Sequence, residues 1–287
     1  MKPKKNLGQN FLVDNSVIDK IISTVMATKE DLIIEIGPGQ GALTKELAKM
    51  SQLIAIEIDK EMAMHLNSIK GVEIIYDDIL NIDFQNVLSK YKYNNAYIVA
   101  NIPYYITTPI IKKIIESKIN FKEITLMVQK ELADRFASKP GDSEYNSLTV
   151  FLNYYFEIER LFFVGKKSFY PSPKVNSEVI KLKSKENKIE VEDYNYFEKL
   201  VKESFLHRRK TLRNNLKNYN LEAIDKILLS GDLEDGEISV SSIEGIEVFK
   251  SNNPLTEIEV KDWTPGLYFV KIKRGTNCQI IKFVKSY

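Results

Sequence analysis

Asp31-Leu-Ile-Ile-Glu-Ile-Gly-Pro-Gly-Gln-Gly41 is the stretch on which the fold turns. Leu32 to Ile36 is a short apolar run rich in β-branched residues, which reads as a buried strand. It ends in a glycine turn, and a helix-like segment with Leu43, Leu47 and Ala48 follows. Glycines at such a turn permit positive φ and let a ligand approach the backbone closely. A lone Gly-x-Gly is weak, because a plain connection explains it equally well.

The flanking sequence repeats the pattern. Residues 15–27 place Val17, Ile18, Ile21, Ile22 and Val25 on one helical face. Further apolar runs follow at Leu53–Ile58, Val72–Tyr76, Ala96–Ala100 and Ile124–Val128. Helical segments separate them, one at about 60–69 and one containing Ile110, Ile111, Ile114 and Ile115. Alternating strands and helices predict an α/β domain with a parallel sheet covered on both faces. Ligands of such sheets sit beyond the carboxyl ends of the strands. Two more strands are expected within 155–184, around Phe169-Tyr-Pro-Ser-Pro-Lys-Val175, and residues 193–228 read as helical. The character then changes: glycine-punctuated β-type runs from about 229 onward predict a small β-sandwich or meander. The expected division is 1–184, 185–228 and 229–287.

Bulk properties agree and narrow the options. The 287 residues are 44% apolar and 28% charged, as in soluble globular proteins. One cysteine and two histidines exclude a Cys/His zinc site, and no metal is expected. No apolar run has membrane length and no signal peptide is evident, so the expectation is a cytoplasmic protein with no membrane partner. No strong interface signal stands out, which favours a monomer. The net charge of +2 hides an asymmetry: residues 1–228 carry 34 Lys and Arg against 30 Asp and Glu, the remainder 7 against 9. Basic residues cluster at Lys2, Lys4 and Lys5, at Lys166, Lys167 and Lys174, and from His207 to Lys210 with Arg213. Such clusters suit a phosphate backbone, although charge alone fits a solvated surface as well.

The strand ends carry the chemistry. Gly37 and Gly39 form the turn after the first strand. Glu57 ends the second, where a carboxylate can accept both ribose hydroxyls of an adenosine. Asp77 and Asp78 end the third, where a carboxylate can receive an adenine amino group or simply cap a turn. A nicotinamide dinucleotide would fit the same pattern; the fourth strand decides. It ends in Asn101-Ile-Pro-Tyr-Tyr105. Asn101 offers an amide oxygen, Pro103 a carbonyl, and Tyr104 a flat face for a base. An adenine amino group is a poor nucleophile because its lone pair is delocalised. Two acceptors holding its N–H bonds would favour a tetrahedral nitrogen aimed at a methyl donor.

Six segments in order resemble one family: Asn6-Leu-Gly-Gln-Asn-Phe-Leu12, Glu35-Ile-Gly-Pro-Gly39, Ile56-Glu-Ile-Asp59, Asn101-Ile-Pro-Tyr104, Phe169-Tyr-Pro-Ser-Pro-Lys-Val175 and Arg208-Arg-Lys-Thr-Leu-Arg-Asn214. They are similar to the ribosomal RNA adenine N6,N6-dimethyltransferases over about residues 1–226. The resemblance implies a Rossmann-like class I methyltransferase with a small helical domain, to which this chain adds a short all-β C-terminal unit. It implies S-adenosyl-L-methionine as cofactor and two adjacent adenosines near the 3′ end of small-subunit rRNA, in a pre-30S particle, as substrate. By motif match Asn10, Leu12, Gly37, Glu57, Asp78 and Asn101 contact the cofactor. Tyr104 and Phe169 sandwich the target adenine, and Phe11 closes the pocket. Arg208, Arg209, Lys210 and Arg213 match the family's RNA-facing helix. Two alternatives stay open: a large-subunit adenine methyltransferase of the antibiotic-resistance type, and a non-catalytic ribosome-assembly factor.

The tail resembles a different unit. Asn253-Pro254, Ile258-Glu-Val260, Trp263 to Ile272 and Ile281-Lys-Phe-Val284 are similar to the C-terminal sorting β-domain of certain secreted bacterial proteins. The juxtaposition points to a fusion or an artificially joined chain, with an unusual natural accessory domain as the alternative; Trp263, Tyr268 and Phe269 are expected in the core of the small unit.

Overall fold

The computed structural model describes residues 3–4, 7–139, 142–185, 191, 193–207, 210, 212–219, 226–228, 237–242, 246–252, 257–260, 262–263, 266–274 and 277–285. The chain divides into two compact units, Met1–Glu190 and Val191–Tyr287.

The first unit runs β1 (Phe11–Leu12), α1 (Asn15–Thr24), β2 (Leu32–Ile36), α2 (Thr44–Met50), β3 (Gln52–Ile56), α3 (Ala63–Leu66), β4 (Val72–Ile75), α4 (Phe84–Leu88), β5 (Ala96–Asn101), α5 (Thr107–Glu116), β6 (Phe121–Gln129), α6 (Lys130–Phe136), α7 (Ser147–Tyr155), β7 (Phe156–Val164), β8 (Phe169–Tyr170) and β9 (Ser177–Ser184). Seven strands form one sheet in the order β4-β3-β2-β5-β6-β9-β7. The strands from β4 to β6 are mutually parallel, as expected. The sheet is mixed rather than wholly parallel, because β9 is inserted antiparallel between β6 and the edge strand β7. The connection from β7 to β9, Gly165 to Asn176, contains no crossover helix of the length a parallel return needs.

Strand alternation divides the core between the two faces. Leu32, Ile34, Ile36, Ile98 and Ala100 point to one face, where they meet Ile110, Ile111 and Ile114 of α5. Ile33, Leu53, Tyr97 and Val99 point to the other, where they meet Val17, Ile18 and Ile21 of α1 and Leu47 of α2. One buried ion pair ties these layers together. Lys181 Nζ on β9 lies 2.9 Å from the Glu123 carboxylate on β6 and donates to the Thr24 carbonyl of α1 at 2.6 Å.

In the second unit α8 (Tyr194–Ser204) and α9 (Leu212–Asn215) are followed by β10 (Lys226–Leu228), β11 (Glu237–Ser242), β12 (Glu247–Ser251), β13 (Glu257–Glu259), β14 (Gly266–Arg274) and β15 (Asn277–Lys285). β11, β12, β14 and β15 make an antiparallel sheet in the order β12-β11-β14-β15, and β10 pairs with β13. Ile238, Val240, Tyr268, Val270 and Ile272 of the sheet share a core with Ile258 and Val260. Trp263 packs against it, its ring 5.0 Å from that of Tyr268. The side chain of Phe269 lies outside the described residues.

Residues 226–228 were expected to be helical and are a strand. Pairing with Glu257–Glu259 supplies backbone partners that a lone helical turn at the end of that segment would lack. The helix also breaks earlier. Asn215 accepts from the His207 N–H and donates to the carbonyls of Ser204 and His207, which closes a turn after α8.

Candidate active site

The parallel registers place the candidate residues side by side. Ile36 pairs with Ile56 on one side and Ala100 on the other, and Ile56 pairs with Ile75. The next residues, Gly37, Glu57 and Asn101, therefore emerge in a row, with Asp77 and Asp78 just beyond β4. The row lies where β2 and β5 diverge in chain order, the usual crevice of an open α/β sheet. One cavity opens there. Among its lining residues are Asn10, Phe11, Leu12, Gly37, Gly39, Glu57, Asp78, Asn101, Pro103 and Tyr104.

Each of these is fixed by local geometry. Glu57 is buried and accepts from the Gly39 N–H at 2.9 Å and the Asp59 N–H at 2.8 Å. Burial still holds its pKa above the usual carboxylate value. Gly39 has φ +55°, and a Cβ on it would come within 3.0 Å of the Phe11 ring. Asp78 caps the turn after β4, accepting from the Leu80 N–H at 2.9 Å. The cap and a ligand contact are compatible, since a carboxylate offers about four acceptor sites. Asn101 donates Nδ2 to the Asn10 carbonyl at 3.4 Å. The Pro103 carbonyl accepts from the Ile106 N–H at 3.1 Å and keeps a second lone pair. Tyr104 places its hydroxyl 2.7 Å from Ser177 Oγ, and burial raises its pKa.

The two aromatics expected beside Tyr104 are placed differently. Phe11 lines the cavity, its ring packed on Met62 and Leu66 beside the glycine turn. Phe169 is not among the lining residues; it is buried with Leu12, Val164 and Val179. Its strand explains this. β8 pairs with β1, placing Phe169 opposite Leu12 and Tyr170 opposite Phe11, and alternation turns Phe169 inward and Tyr170 outward. Tyr170 is accordingly 63% exposed.

The basic residues are less concentrated than the sequence suggested. Lys4 is engaged by Asp59 at 2.8 Å and Glu61 at 2.9 Å. Lys166, Lys167 and Lys174 are exposed. Lys210 is exposed too, in the connection between α8 and α9 rather than on a helix, because the Asn215 turn interrupts it. Arg208 and Arg209 lie outside the described residues, as does the Arg213 side chain.

Glu35 enters the site without a role assigned from sequence. It is 2% exposed, lines the cavity, and its Oε2 has no hydrogen-bond partner. Burial pushes its pKa up to about 8, with the Glu57 charge adding to the effect. Its position inside the strand, one residue before the turn's flank, gave the signal: an acid amid Leu, Ile and Ile has no structural reason to be there. Ser177 carried no such signal, being 73 residues from Tyr104.

The cavity is acidic overall. Glu35, Glu57, Asp77 and Asp78 line it, and among the described residues no Lys or Arg does. It suits a ligand with hydroxyls, an amino group and a positive centre, and it repels a pyrophosphate. Among the described residues no group of acids, His or Cys is arranged to hold a metal, and no helix is long and apolar enough to cross a membrane.

Comparison with known proteins gives the context. The family model described as ribosomal RNA adenine dimethylase matches residues 1–239, and that of a secretion system C-terminal sorting domain matches 222–286. A relative from Bacillus pumilus, named ribosomal RNA small subunit methyltransferase A, is 44% identical over 75% of this chain and 76% of its own length. A dimethyladenosine transferase from Plasmodium falciparum has a similar structure, with a TM-score of 0.65, 30% identity, and coverage of 75% of this chain and 78% of that one. The 23S rRNA methyltransferase ErmE gives 0.60 and 27%, covering 73% and 84%.

Proposed function

The chain belongs to the ribosomal RNA adenine dimethylase family, and from that membership we propose that it moves methyl groups from S-adenosylmethionine to N6 of two adjacent adenosines near the 3′ end of small-subunit rRNA. The chemistry resides in the unit Met1–Glu190. The observation that carries the cofactor reading is the set of four acidic side chains around the cavity, with no lysine or arginine among the described residues that line it. Glu57 would take the ribose hydroxyls and Asp78 the adenine amino group. Glu35, buried and with an acceptor oxygen free of partners, would be drawn towards its ionised form by a positive charge in the cavity. Gly37 and Gly39 allow the close approach, and Asn10, Leu12 and Phe11 form the wall contributed by the N-terminal segment.

When bound, the cofactor supplies an electrophilic methyl group on a sulfonium. The residues of the chain do the positioning. With Nδ2 of Asn101 turned to Asn10, its Oδ1 is the atom left to accept from the adenine amino group. The Pro103 carbonyl accepts the second N–H, and the Tyr104 ring offers a stacking face. Glu57, Asp78 and Glu35 would hold the methyl donor while Asn101 and Pro103 would hold the amino group that receives the methyl, and the displaced N6 proton would pass to solvent. A base held this way must leave its stack. Phe169 supports this arrangement from the core, through β8 and β1, instead of stacking on the base.

Lys166, Lys167, Lys174 and Lys210 are the exposed cations proposed to meet the rRNA backbone, together with Arg208, Arg209 and Arg213. The test is transfer of tritiated methyl to undermethylated small subunits, with the modified positions mapped by primer extension. Modification at two neighbouring adenosines near the small-subunit 3′ end is expected. Transfer only to large-subunit RNA, or none with a bound particle, overturns the assignment.

A further inference from the structure

The N-terminal segment forms one wall of the cavity through Leu7, Gly8, Gln9, Asn10, Phe11 and Leu12. Packing accounts for part of its hold. A Cβ on Gly8, at φ +60°, would come within 3.1 Å of the Tyr105 ring and 3.3 Å of Pro103, so the backbone lies flush on the loop after β5. The charged hold is at the other end of the wall. Asp59 is 3% exposed, and each of its carboxylate oxygens accepts from this segment: Oδ1 from Lys4 Nζ at 2.8 Å and Oδ2 from Gln9 Nε2 at 2.8 Å. Lys4 and Gln9 are also clasped to each other, the Lys4 N–H donating to Gln9 Oε1 at 2.8 Å. Below, the Asp59 N–H donates to Glu57 Oε1.

Asp59 therefore stands between the segment above and the carboxylate proposed for the ribose below. A buried carboxylate without partners is costly. Lifting the segment would strip Asp59 of both Lys4 and Gln9, whereas the Glu61 N–H, its remaining donor at 3.1 Å, is a neutral group. The wall is thus held shut by a charge pair at the ribose end, and the same segment places the Asn10 carbonyl on Asn101 at the other end.

We propose that Asp59 is a positioning residue that latches the N-terminal segment over the cavity through Lys4 and Gln9, and so sets the affinity for the adenosyl ligand. This rests on reading the cavity as the S-adenosylmethionine site. The experiment compares the parent chain with Lys4→Met, Lys4→Arg and Asp59→Asn. It measures the Kd of S-adenosylhomocysteine by calorimetry, hydrogen exchange of amides 7–13 without ligand, and kcat and KM for transfer. Lys4→Met is expected to raise the Kd about tenfold, with kcat changed less than about twofold, close to the loss of one hydrogen bond to a charged group. Amides 7–13 exchange faster in it, and Lys4→Arg restores both readouts. Asp59→Asn shows the same faster exchange. Unchanged Kd and exchange in Lys4→Met overturn the latch, whatever becomes of the Asp59 variant. A parent chain that binds no S-adenosylhomocysteine overturns the adenosyl reading instead, while the exchange comparison still decides whether Lys4 holds the segment.

Discussion

The Asn101 amide faces the Asn10 carbonyl across 91 residues of sequence, its Nδ2 3.4 Å from that oxygen. This contact orients the amide by accepting from its nitrogen, which turns Oδ1 toward the cavity. Asn101→Ala removes the acceptor and is expected to lower kcat by roughly 100-fold or more, comparable to the loss of one preorganised polar group in other active sites. RNA binding, measured by filter retention, is expected to stay within about twofold because the cations proposed to meet the phosphates lie elsewhere. Unchanged turnover overturns the role given to Asn101.

Tyr104 is held through Ser177. Ser177→Ala leaves the buried phenol hydroxyl without its partner, a change on the order of 1 kcal/mol in stability. The ring then samples more orientations, so kcat falls while the KM for the cofactor holds. Equal kcat in Ser177→Ala and the parent chain would show that the hydroxyl contact does not position the ring.

Glu35 gives a pH signature. Its folded-state pKa of about 8 lies above its ordinary 4.5. The folded protein therefore binds this proton more tightly than the unfolded chain does. The resulting stability is full below about 4.5 and is lost as pH rises towards 8. The ligand-free Tm of the parent chain is expected to fall over that window more steeply than that of Glu35→Gln. A cationic ligand should bind more tightly as pH rises through the same range, and parallel Tm profiles for the two proteins count against the assignment.

Phe169 separates packing from stacking. If it supports the core, Phe169→Leu costs on the order of 1 kcal/mol in stability and leaves kcat nearly unchanged. A loss of turnover with intact stability would return the ring to the base-stacking role implied by the sequence motif.

Lys181 and Glu123 form a buried pair away from the cavity. Lys181→Met leaves Glu123 buried without its cation and is expected to destabilise by about 3 kcal/mol in urea unfolding. Lys181→Met with Glu123→Leu should recover most of that loss.

Much of this was legible in the sequence for a physical reason. Short continuous apolar runs, the mark of strands buried on both faces, announced β2, β3, β5 and β6, and parallel pairing in register then aligned their ends, so Gly37, Glu57 and Asn101 could be read as neighbours. β7 and β9 were visible as strands, but the reversed direction of β9 between β6 and β7 was not, because it depends on long-range pairing. Phe169 and Tyr170 could not be told apart, because two adjacent aromatics face opposite ways and only the β1 register says which is inside. The Asp59 contacts were hidden because their partners Lys4 and Gln9 lie 50 or more residues away. Helical spacing at 193–228 misled because a single side chain, Asn215, closes the turn that ends the pattern.

β10 lies at 226–228, inside the overlap between the region that matches the dimethylase family and the region that matches the sorting domain. The seam between the two ancestries is therefore stitched by a strand ladder. Truncating after residue 228, where the change in composition invites the cut, would keep β10 and discard β13, leaving three residues of unpaired backbone as a sticky end. A cut ahead of Lys226 removes the ladder whole and yields the better-behaved fragment.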